Sequence, residues 1–306
     1  MKLIGIGDLL IPSSYIEEGF ASYRERGVTV ETVDWPLRDY EELQNINLRV
    51  ETEGSEAYDV PDTLVEQLRD AEILITQFCP ITKKVLDACT KLRFIGVLRG
   101  GYENVNVPYA AHKGVTVYHT PGRNATAVAD FTVGMMIAEN KNIARSHRHL
   151  MEGTWRKSYV NQSYIHDMRK MTVGIIGYGY IGRRVRQRLK GFECRVLVHD
   201  PYIDPQTVAD QDVSFVSLDE LLARSDIVTL HLRLSEQTSH FIGAAELAKM
   251  KPTAYLINTA RAGLVDTAAL TEALRTHAIG GAAVDVYDTE PLPTDHPYLQ
   301  LDNITL

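Results

Sequence analysis

The sequence predicts an α/β protein with two doubly wound domains, each a parallel sheet covered by helices. Short β-branched runs alternate with amphipathic stretches along nearly the whole chain, which is typical of parallel strands connected by helices. The chain has 306 residues, of which 44% are hydrophobic, and this is long enough for two hydrophobic cores. A turn rich in Pro and Gly at residues 120–124 separates two alternating sets.

The first alternating set covers residues 1–119. Strands are predicted where β-branched and other apolar residues cluster, and helices where apolar residues recur every three to four positions. The predicted strands are 3–6, 28–33, 73–76, 92–98 and 115–118, and the predicted helices are 13–26, 61–69, 82–88 and 107–112.

The second half begins with a helical pattern that runs without interruption over residues 125–149. A second alternating set follows after a polar stretch, and it predicts the second doubly wound domain. Its predicted strands are 172–176, 195–198, 214–216, 227–230, 254–257 and 281–284, and its predicted helices are 181–191, 218–224, 244–250 and 266–277.

The strongest local motif is a glycine-rich turn at residues 177–182, which directly follows an apolar strand and opens a helix. Gly177 permits the tight turn, Gly179 lets backbone approach a pyrophosphate, and Gly182 lets the helix pack on the strand. Asp200 ends the next strand, where a carboxylate accepts ribose hydroxyls and disfavours a 2′-phosphate. The pattern predicts a Rossmann domain that binds NAD; a structural aspartate before Pro201 is the alternative interpretation of Asp200.

Arg261 lies just beyond a predicted strand, in the run Asn-Thr-Ala-Arg at residues 258–261. Ligands bind at this edge of open parallel sheets, and a guanidinium there can hold a carboxylate through two parallel hydrogen bonds. An arginine that caps the strand or pairs on the surface is the alternative. Further along, Glu290 places a carboxylate after another apolar strand.

With these motifs in this order, the chain resembles the D-2-hydroxyacid dehydrogenase family from about residue 92 to residue 306. The runs at residues 100–105 and 120–129 and the loop at His231 also carry the resemblance. Members of this family have two domains and use NAD, and they include D-3-phosphoglycerate, D-lactate and glycerate dehydrogenases. The resemblance implies a flavodoxin-like substrate domain at residues 1–119, joined by the C-terminal segment 300–306, and an NAD-binding domain at residues 120–299.

The resemblance also implies roles for individual residues. Arg261 would bind the substrate carboxylate and polarise its carbonyl, and Glu290 would hydrogen-bond a catalytic histidine and keep it protonated. The N–H groups of Gly100 and Gly101 would bind the substrate carboxylate from the first domain. The cofactor-binding residues implied in this way are Gly177, Gly179, Tyr180, Ile181, Gly182, Asp200, His231, Thr259 and Asp285.

The chain departs from the family pattern at two places. Glu103-Asn104 stands where the family more often has Asp-Asn. The family's catalytic histidine lies just after the strand that matches residues 303–306, where this sequence stops. We expect the polypeptide to continue and to supply that histidine within a few residues, and we interpret His296 as a surface loop residue.

The sequence therefore predicts an NAD-dependent enzyme that transfers a hydride between nicotinamide and C2 of a small 2-hydroxy or 2-keto acid of the D series. An NAD-sensing binding module of the corepressor type is the alternative, although Arg261 and Glu290 favour the enzyme. Arg99 beside Gly100 either binds a second anionic group such as phosphate or pairs with a surface acid. Phe78 and the neighbouring Cys79 either face the substrate cleft or pack within their loop.

Composition limits the partners. The net charge of −8 argues against a nucleic-acid surface. No apolar run is long enough to span a bilayer, and the three scattered cysteines have no metal-ligand spacing and suit a reducing cytoplasm. We interpret Cys89 and Cys194 as buried. The apolar pattern at residues 125–149 predicts a symmetric homodimer built largely on this helix and the segment after it, with a helix buried inside its own domain as the alternative.

Overall fold

The computed structural model describes residues 1–210 and 212–306. It divides into two compact units, Met1–Arg123 and Asn124–Leu306. Each unit has its own parallel sheet and its own buried apolar clusters, which confirms the predicted α/β class. No helix of the described residues combines the length and the apolar character needed to cross a membrane.

The first unit contains a five-stranded parallel sheet. Its strands are β1 (Lys2–Gly7), β2 (Thr29–Asp34), β3 (Ile73–Thr76), β4 (Phe94–Val97) and β5 (Thr116–His119), and its helices are α1 (Ser13–Phe20), α2 (Tyr40–Glu53), α3 (Asp62–Leu68), α4 (Lys83–Ala88) and α5 (Val107–His112). The strand order β2-β1-β3-β4-β5 is that of flavodoxin-like folds.

Two helices of this unit differ from the sequence prediction. α2 has no predicted counterpart, because only Leu43, Ile46 and Val50 of its fourteen residues are buried and the apolar stripe is narrow. The predicted helix 13–26 ends as an α-helix at residue 20 and continues as a 3-10 helix, Ala21–Arg26. Gly27, with a left-handed φ of 77°, terminates it.

The second unit contains a seven-stranded parallel sheet with the order β12-β11-β10-β9-β6-β7-β8. The chain runs from β6 to β7 and β8 on one side, then returns to β9 on the other side of β6. The topological switch point therefore lies between β6 and β9. The strands are β6 (Thr172–Ile176), β7 (Arg195–His199), β8 (Val213–Phe215), β9 (Ile227–Leu230), β10 (Tyr255–Asn258), β11 (Gly281–Val284) and β12 (Ile304–Thr305), and the helices are α6 (Ala125–Asn140), α7 (Ile143–Met151), α8 (Tyr180–Leu189), α9 (Leu218–Arg224), α10 (Ala244–Leu247) and α11 (Thr267–Arg275).

The predicted continuous helix 125–149 is wrong, because the chain breaks between α6 and α7. Asn142 has a left-handed φ of 56° at the break. Its buried side chain donates a hydrogen bond to Asn161 Oδ1 at 2.8 Å, which stabilises this conformation. Most apolar side chains of α6, including the fully buried Met136, pack inside the second unit, as in the alternative of an intradomain helix.

The C-terminal segment 300–306 lies in the second unit, not in the first as expected, and the division between the units falls after Arg123. Ile304 and Thr305 pair in parallel with β11. The Thr305 hydroxyl donates to the carboxylate of Glu139 on α6 at 2.6 Å. The strand expected at residues 303–306 is therefore found at the edge of the second sheet.

Candidate functional site

The predicted cofactor residues of the second unit lie along one edge of its sheet. Gly177 follows β6, Asp200 follows β7, His231 follows β9, Thr259 follows β10 and Asp285 follows β11. These five strands are adjacent and parallel, so their carboxyl ends lie on the same edge. Gly177 and His231 flank the switch point, where open α/β sheets bind ligands.

The three glycines of the 177–182 turn have different steric surroundings. Gly177 has a left-handed φ of 90°, and a Cβ there would lie 2.7 Å from the carbonyl oxygen of His231. A Cβ on Gly182 would lie 2.2 Å from the carbonyl oxygen of Gly177. A Cβ on Gly179 would meet no atom within 4 Å, so the space beside the second glycine is open. The turn thus fits a closely approaching pyrophosphate.

Helix α8 begins immediately after the second glycine. The N–H groups of Tyr180 and Ile181 donate to no acceptor among the described residues, as expected for the first turn of a helix. Arg183 adds positive charge to the same turn, and its Nε donates to the carbonyl oxygen of Tyr178 at 2.9 Å. This helix end therefore favours an anionic ligand.

The carboxylate of Asp200 is held by two backbone donors. Its Oδ2 accepts from the N–H of Tyr178 at 2.8 Å and its Oδ1 from the N–H of Tyr202 at 3.0 Å. Each oxygen retains a further acceptor site, so the carboxylate can also accept ribose hydroxyls. Sequence reasoning missed that Asp200 also links the glycine turn to the loop after β7.

His231 is uncharged at neutral pH, because burial lowers the pKa of its imidazole to about 3. Its Nε2 lies 3.1 Å from Thr229 Oγ1. Its Nδ1 is buried and has no hydrogen-bond partner within residues 1–210 and 212–306. The unpaired nitrogen beside the switch point is suited to a polar group of a ligand.

Arg261 is exposed at the end of β10. Its Nη1 donates to the carbonyl oxygen of Ala260 at 2.8 Å. The buried Asn258 holds this loop, since its Nδ2 donates to the carbonyl oxygen of Arg261 at 2.9 Å and its Oδ1 accepts from the Ala260 N–H at 3.1 Å. In the described part of the chain Arg261 makes no ion pair, so its remaining donors stay available for a carboxylate.

Thr259, next to Arg261, has its hydroxyl 2.7 Å from the hydroxyl of Thr132 on α6. Both side chains are buried. The contact fixes the loop after β10 against α6, and this is the only hydrogen bond of the Thr259 side chain within the described residues.

An acidic pair follows β11. Partial burial, and then the nearby Glu290 carboxylate, raise the pKa of Asp285. Glu290 Oε1 accepts from the N–H of Tyr287 at 3.1 Å. None of the ion pairs in the described residues joins Glu290 to a histidine. His296 instead caps a short 3-10 helix, where its Nδ1 accepts from the Tyr298 N–H at 3.2 Å.

In the first unit, Gly100 and Gly101 follow β4 at the carboxyl edge of the sheet. Neither N–H donates to a protein acceptor in the part of the chain described. His119, at the end of β5, holds this turn with its Nδ1 2.7 Å from the carbonyl oxygen of Gly100. Tyr102 packs edge-on against the His119 ring, with 5.1 Å between the ring centroids. Sequence reasoning missed His119, whose only signal was its place at a strand end.

The loop after β3 is packed inside the first unit. Asn104 is fully buried, and its Nδ2 donates to the carbonyl oxygens of Gln77 and Cys79 at 3.3 and 3.2 Å. Cys79 is 1% exposed, and burial raises the pKa of its thiol. Loop packing is therefore the correct interpretation of Cys79. Cys89 and Cys194 are buried as predicted.

Comparisons with known proteins agree with this geometry. Residues 133–306 match the family model of the D-isomer specific 2-hydroxyacid dehydrogenase, NAD binding domain. The chain is 38% identical over 253 residues to a glyoxylate reductase of Thermofilum pendens, covering 80% of this chain and 73% of that protein. It is 34% identical over 276 residues to a hydroxypyruvate reductase of Thermotoga maritima, covering 89% and 88%. A glyoxylate reductase structure from Paecilomyes thermophila is 28% identical, with a TM-score of 0.74 and coverage of 100% of this chain and 87% of that one.

These matches confirm the predicted family, the NAD cofactor and the NAD-dependent dehydrogenase class. The relatives described above are named for reductase activities and lend no support to the corepressor alternative. The chain therefore belongs to the D-isomer specific 2-hydroxyacid dehydrogenase family, and its second unit contains the match to the family's NAD-binding domain.

Proposed function

We propose that this dehydrogenase interconverts a small 2-keto acid and the corresponding D-2-hydroxy acid, with glyoxylate and hydroxypyruvate as the first candidate substrates. The observation that carries the proposal is that the predicted cofactor residues follow the carboxyl ends of five adjacent strands in the second unit, with Arg261 exposed after one of them. The names of the two reductase relatives support the choice of substrates.

NAD, when bound, supplies the hydride donor or acceptor. The chain's own residues bind and orient it. We assign the pyrophosphate to the N–H groups of Tyr180 and Ile181, and the ribose hydroxyls to Asp200. By the family resemblance, Asp285 binds the nicotinamide carboxamide, and the unpaired Nδ1 supports a cofactor role for His231.

By the family resemblance, substrate-binding roles are assigned to Arg261 and, separately, to Gly100 and Gly101. In the second unit, Arg261 holds the substrate carboxylate and polarises the carbonyl at C2, because its planar fork of donors matches a carboxylate. In the first unit, the N–H groups of Gly100 and Gly101, which donate to no acceptor among the described residues, are assigned to the substrate carboxylate. By the family resemblance, Glu290 is assigned to orienting a proton-transferring histidine and keeping it protonated, because a neighbouring carboxylate raises the pKa of an imidazole.

The protein is further proposed to be a cytoplasmic homodimer, with its interface on α7 and the segment after it. Ile143, Leu150, Met151, Trp155 and Val160 are large apolar side chains exposed in this part of the second unit, and Met151 and Trp155 each keep 75% of their surface exposed. A second copy covering them would remove this apolar area from water. Sedimentation equilibrium should give a dimer that Trp155→Glu weakens; a wild-type monomer at micromolar concentration would contradict the proposal.

Oxidation of NADH by the full-length protein, measured with a panel of 2-keto acids, tests the activity. We expect turnover with glyoxylate or hydroxypyruvate, and loss of turnover in Arg261→Gln with little change in the dissociation constant of NADH. Turnover confined to long or branched 2-keto acids would overturn the substrate assignment. Tight NADH binding without turnover of any 2-keto acid would overturn the proposal as a whole.

A further inference from the structure

We infer that helix α2 locks Arg99 away from the substrate, so that the protein takes unphosphorylated 2-keto acids and discriminates against their phosphate esters. The inference rests on the proposed function, because it names the substrate class of the same site. Sequence reasoning left Arg99 with two interpretations, a second anion-binding group or a partner of an acid. The contacts within the first unit distinguish between them.

Arg99 directly precedes Gly100 at the carboxyl end of β4, where an unpaired guanidinium would add an anion site beside the turn assigned to the substrate. Its Nη2 instead pairs with the carboxylate of Glu51, and its Nη1 donates to Asn47 Oδ1 at 2.8 Å. Both partners lie on α2, one helical turn apart. The Arg99 Cζ also lies 4.9 Å from the ring centroid of Phe78, and only 11% of the side chain is exposed.

A second carboxylate approaches Arg99 from the turn itself. Glu103 Oε2 lies 3.7 Å from Arg99 Nη2. It also folds back over the turn, since a Cβ on Gly101 would lie 2.1 Å from the same oxygen. This oxygen is buried and accepts no hydrogen bond within the described residues. The carboxylate therefore sits against the backbone assigned to the substrate.

The cluster is unfavourable for a second anion. Glu51 balances the positive charge of Arg99, and Glu103 adds a further negative charge, so the cluster has a net negative charge. A phosphate group brought beside Arg99 would therefore be repelled. A keto acid that carries only hydrogen or a hydroxymethyl group beyond C2 has no second anionic group to meet that charge. Another cation of this unit, Arg123, donates through Nη1 to Gln77 Oε1 on the loop after β3 at 3.2 Å.

The kcat/KM of the full-length protein for hydroxypyruvate and for its 3-phosphate ester tests the inference. We expect the wild type to prefer hydroxypyruvate. Glu51→Gln removes one charge at constant size, and Glu51→Gln with Glu103→Gln leaves Arg99 without a carboxylate partner. The ratio of the two kcat/KM values should shift toward the ester by about tenfold in the single variant and about 100-fold in the double variant, the order expected when unit charges roughly 7 Å from a phosphate are removed.

Glu53→Gln is the matched control. It makes the same charge change on the same helix, and the Glu53 carboxylate makes no ion pair in the described part of the chain. We expect its ratio to stay within about twofold of the wild type, because exposed charges interact weakly. A double variant whose ratio equals that of Glu53→Gln would overturn the inference.

Arg99→Met keeps the inference testable if the double variant does not fold. When Arg99 is locked away, it acts on the ester only through its charge, so by the same estimate this substitution should shift the ratio of the two kcat/KM values toward hydroxypyruvate by no more than about tenfold. A selective loss of ester use clearly larger than this, about 100-fold or more, would show that Arg99 binds the phosphate directly and would overturn the inference. A wild type that uses both substrates equally would also overturn the inference. Selective loss of ester use in Arg123→Gln would then identify Arg123 as the cation that binds the phosphate. Failure of the proposed function is a different result, namely no turnover of any unphosphorylated 2-keto acid.

Discussion

Substitution of Asp200 is expected to change which dinucleotide the protein prefers. Hydrogen bonds from Tyr178 and Tyr202 fix the carboxylate beside the glycine turn, at 2.8 and 3.0 Å. Hydrogen bonds from ribose hydroxyls to a charged acceptor contribute roughly 1.5–3 kcal/mol, so Asp200→Ala should weaken NADH binding by about 10- to 100-fold. NADPH should gain affinity, because repulsion between the carboxylate and a 2′-phosphate at about 5 Å costs roughly 1–3 kcal/mol.

Calorimetric titration with NADH and with NADPH measures both changes. Asp200→Asn separates two roles of the side chain, because the amide oxygen can still accept from Tyr178 while the charge is lost. Asp200→Ala removes both the acceptor and the charge. Asp204→Asn is the control, since Asp204 lies in the same loop and, within residues 1–210 and 212–306, its carboxylate accepts only from the N–H of Gln206, at 2.9 Å. Unchanged dissociation constants for both dinucleotides in Asp200→Asn would refute this reasoning.

The remaining predictions concern Arg261, His119 and His231. Arg261→Lys should lower kcat/KM by about 10- to 1,000-fold while NADH binding is kept, because an ammonium cannot form the bidentate pair; near-normal kcat/KM would exclude the assigned role. His119→Phe keeps a ring but removes the hydrogen bond to the Gly100 carbonyl at 2.7 Å, so it should raise KM for the keto acid more than it changes kcat. His119→Asn should restore KM. Equal KM values for the two variants would contradict this prediction. Burial lowers the pKa of His231 to about 3, so below the unfolded-state pKa the unfolded chain binds a proton that the folded chain does not. The free energy of unfolding of the wild type, measured with urea, should therefore fall relative to that of His231→Asn by up to about 1.4 kcal/mol per pH unit as the pH drops below about 6.5. Parallel pH dependences of the two proteins would show that His231 does not contribute to the pH dependence of stability.

The residues proposed to bind the cofactor could be predicted from the sequence because their signals are local. The glycine spacing at residues 177–182, and the polar residues Asp200 and Arg261, each directly follow an apolar run of β-branched residues. In a parallel sheet, the ends of such runs meet at one edge, which is where the structure has them. No long-range contact had to be known.

The errors arose where distant residues determine the local structure. The break after α6 depends on the left-handed Asn142, which is held by Asn161, nineteen residues further along the chain. No Pro or Gly marks that position, so the local pattern predicts one helix. α2 escaped prediction because its three buried residues, spaced over two turns, support a much weaker pattern than the long apolar stripe of a typical core helix.

The Gly100 turn, which we propose binds the substrate, shows the same difference between local and distant information, with a consequence for charge. Arg99 and Glu51 are separated by 48 residues in sequence, and His119 and Gly100 by 19. Along the sequence, the charges near the Gly100 turn are those of Arg99 and Glu103, and they leave Arg99 as either a phosphate-binding group or a partner of an acid. In the folded unit, its guanidinium has two carboxylates and an amide around it. Local motifs therefore predict the type of reaction, whereas the charge beside the Gly100 turn depends on which distant helix packs there.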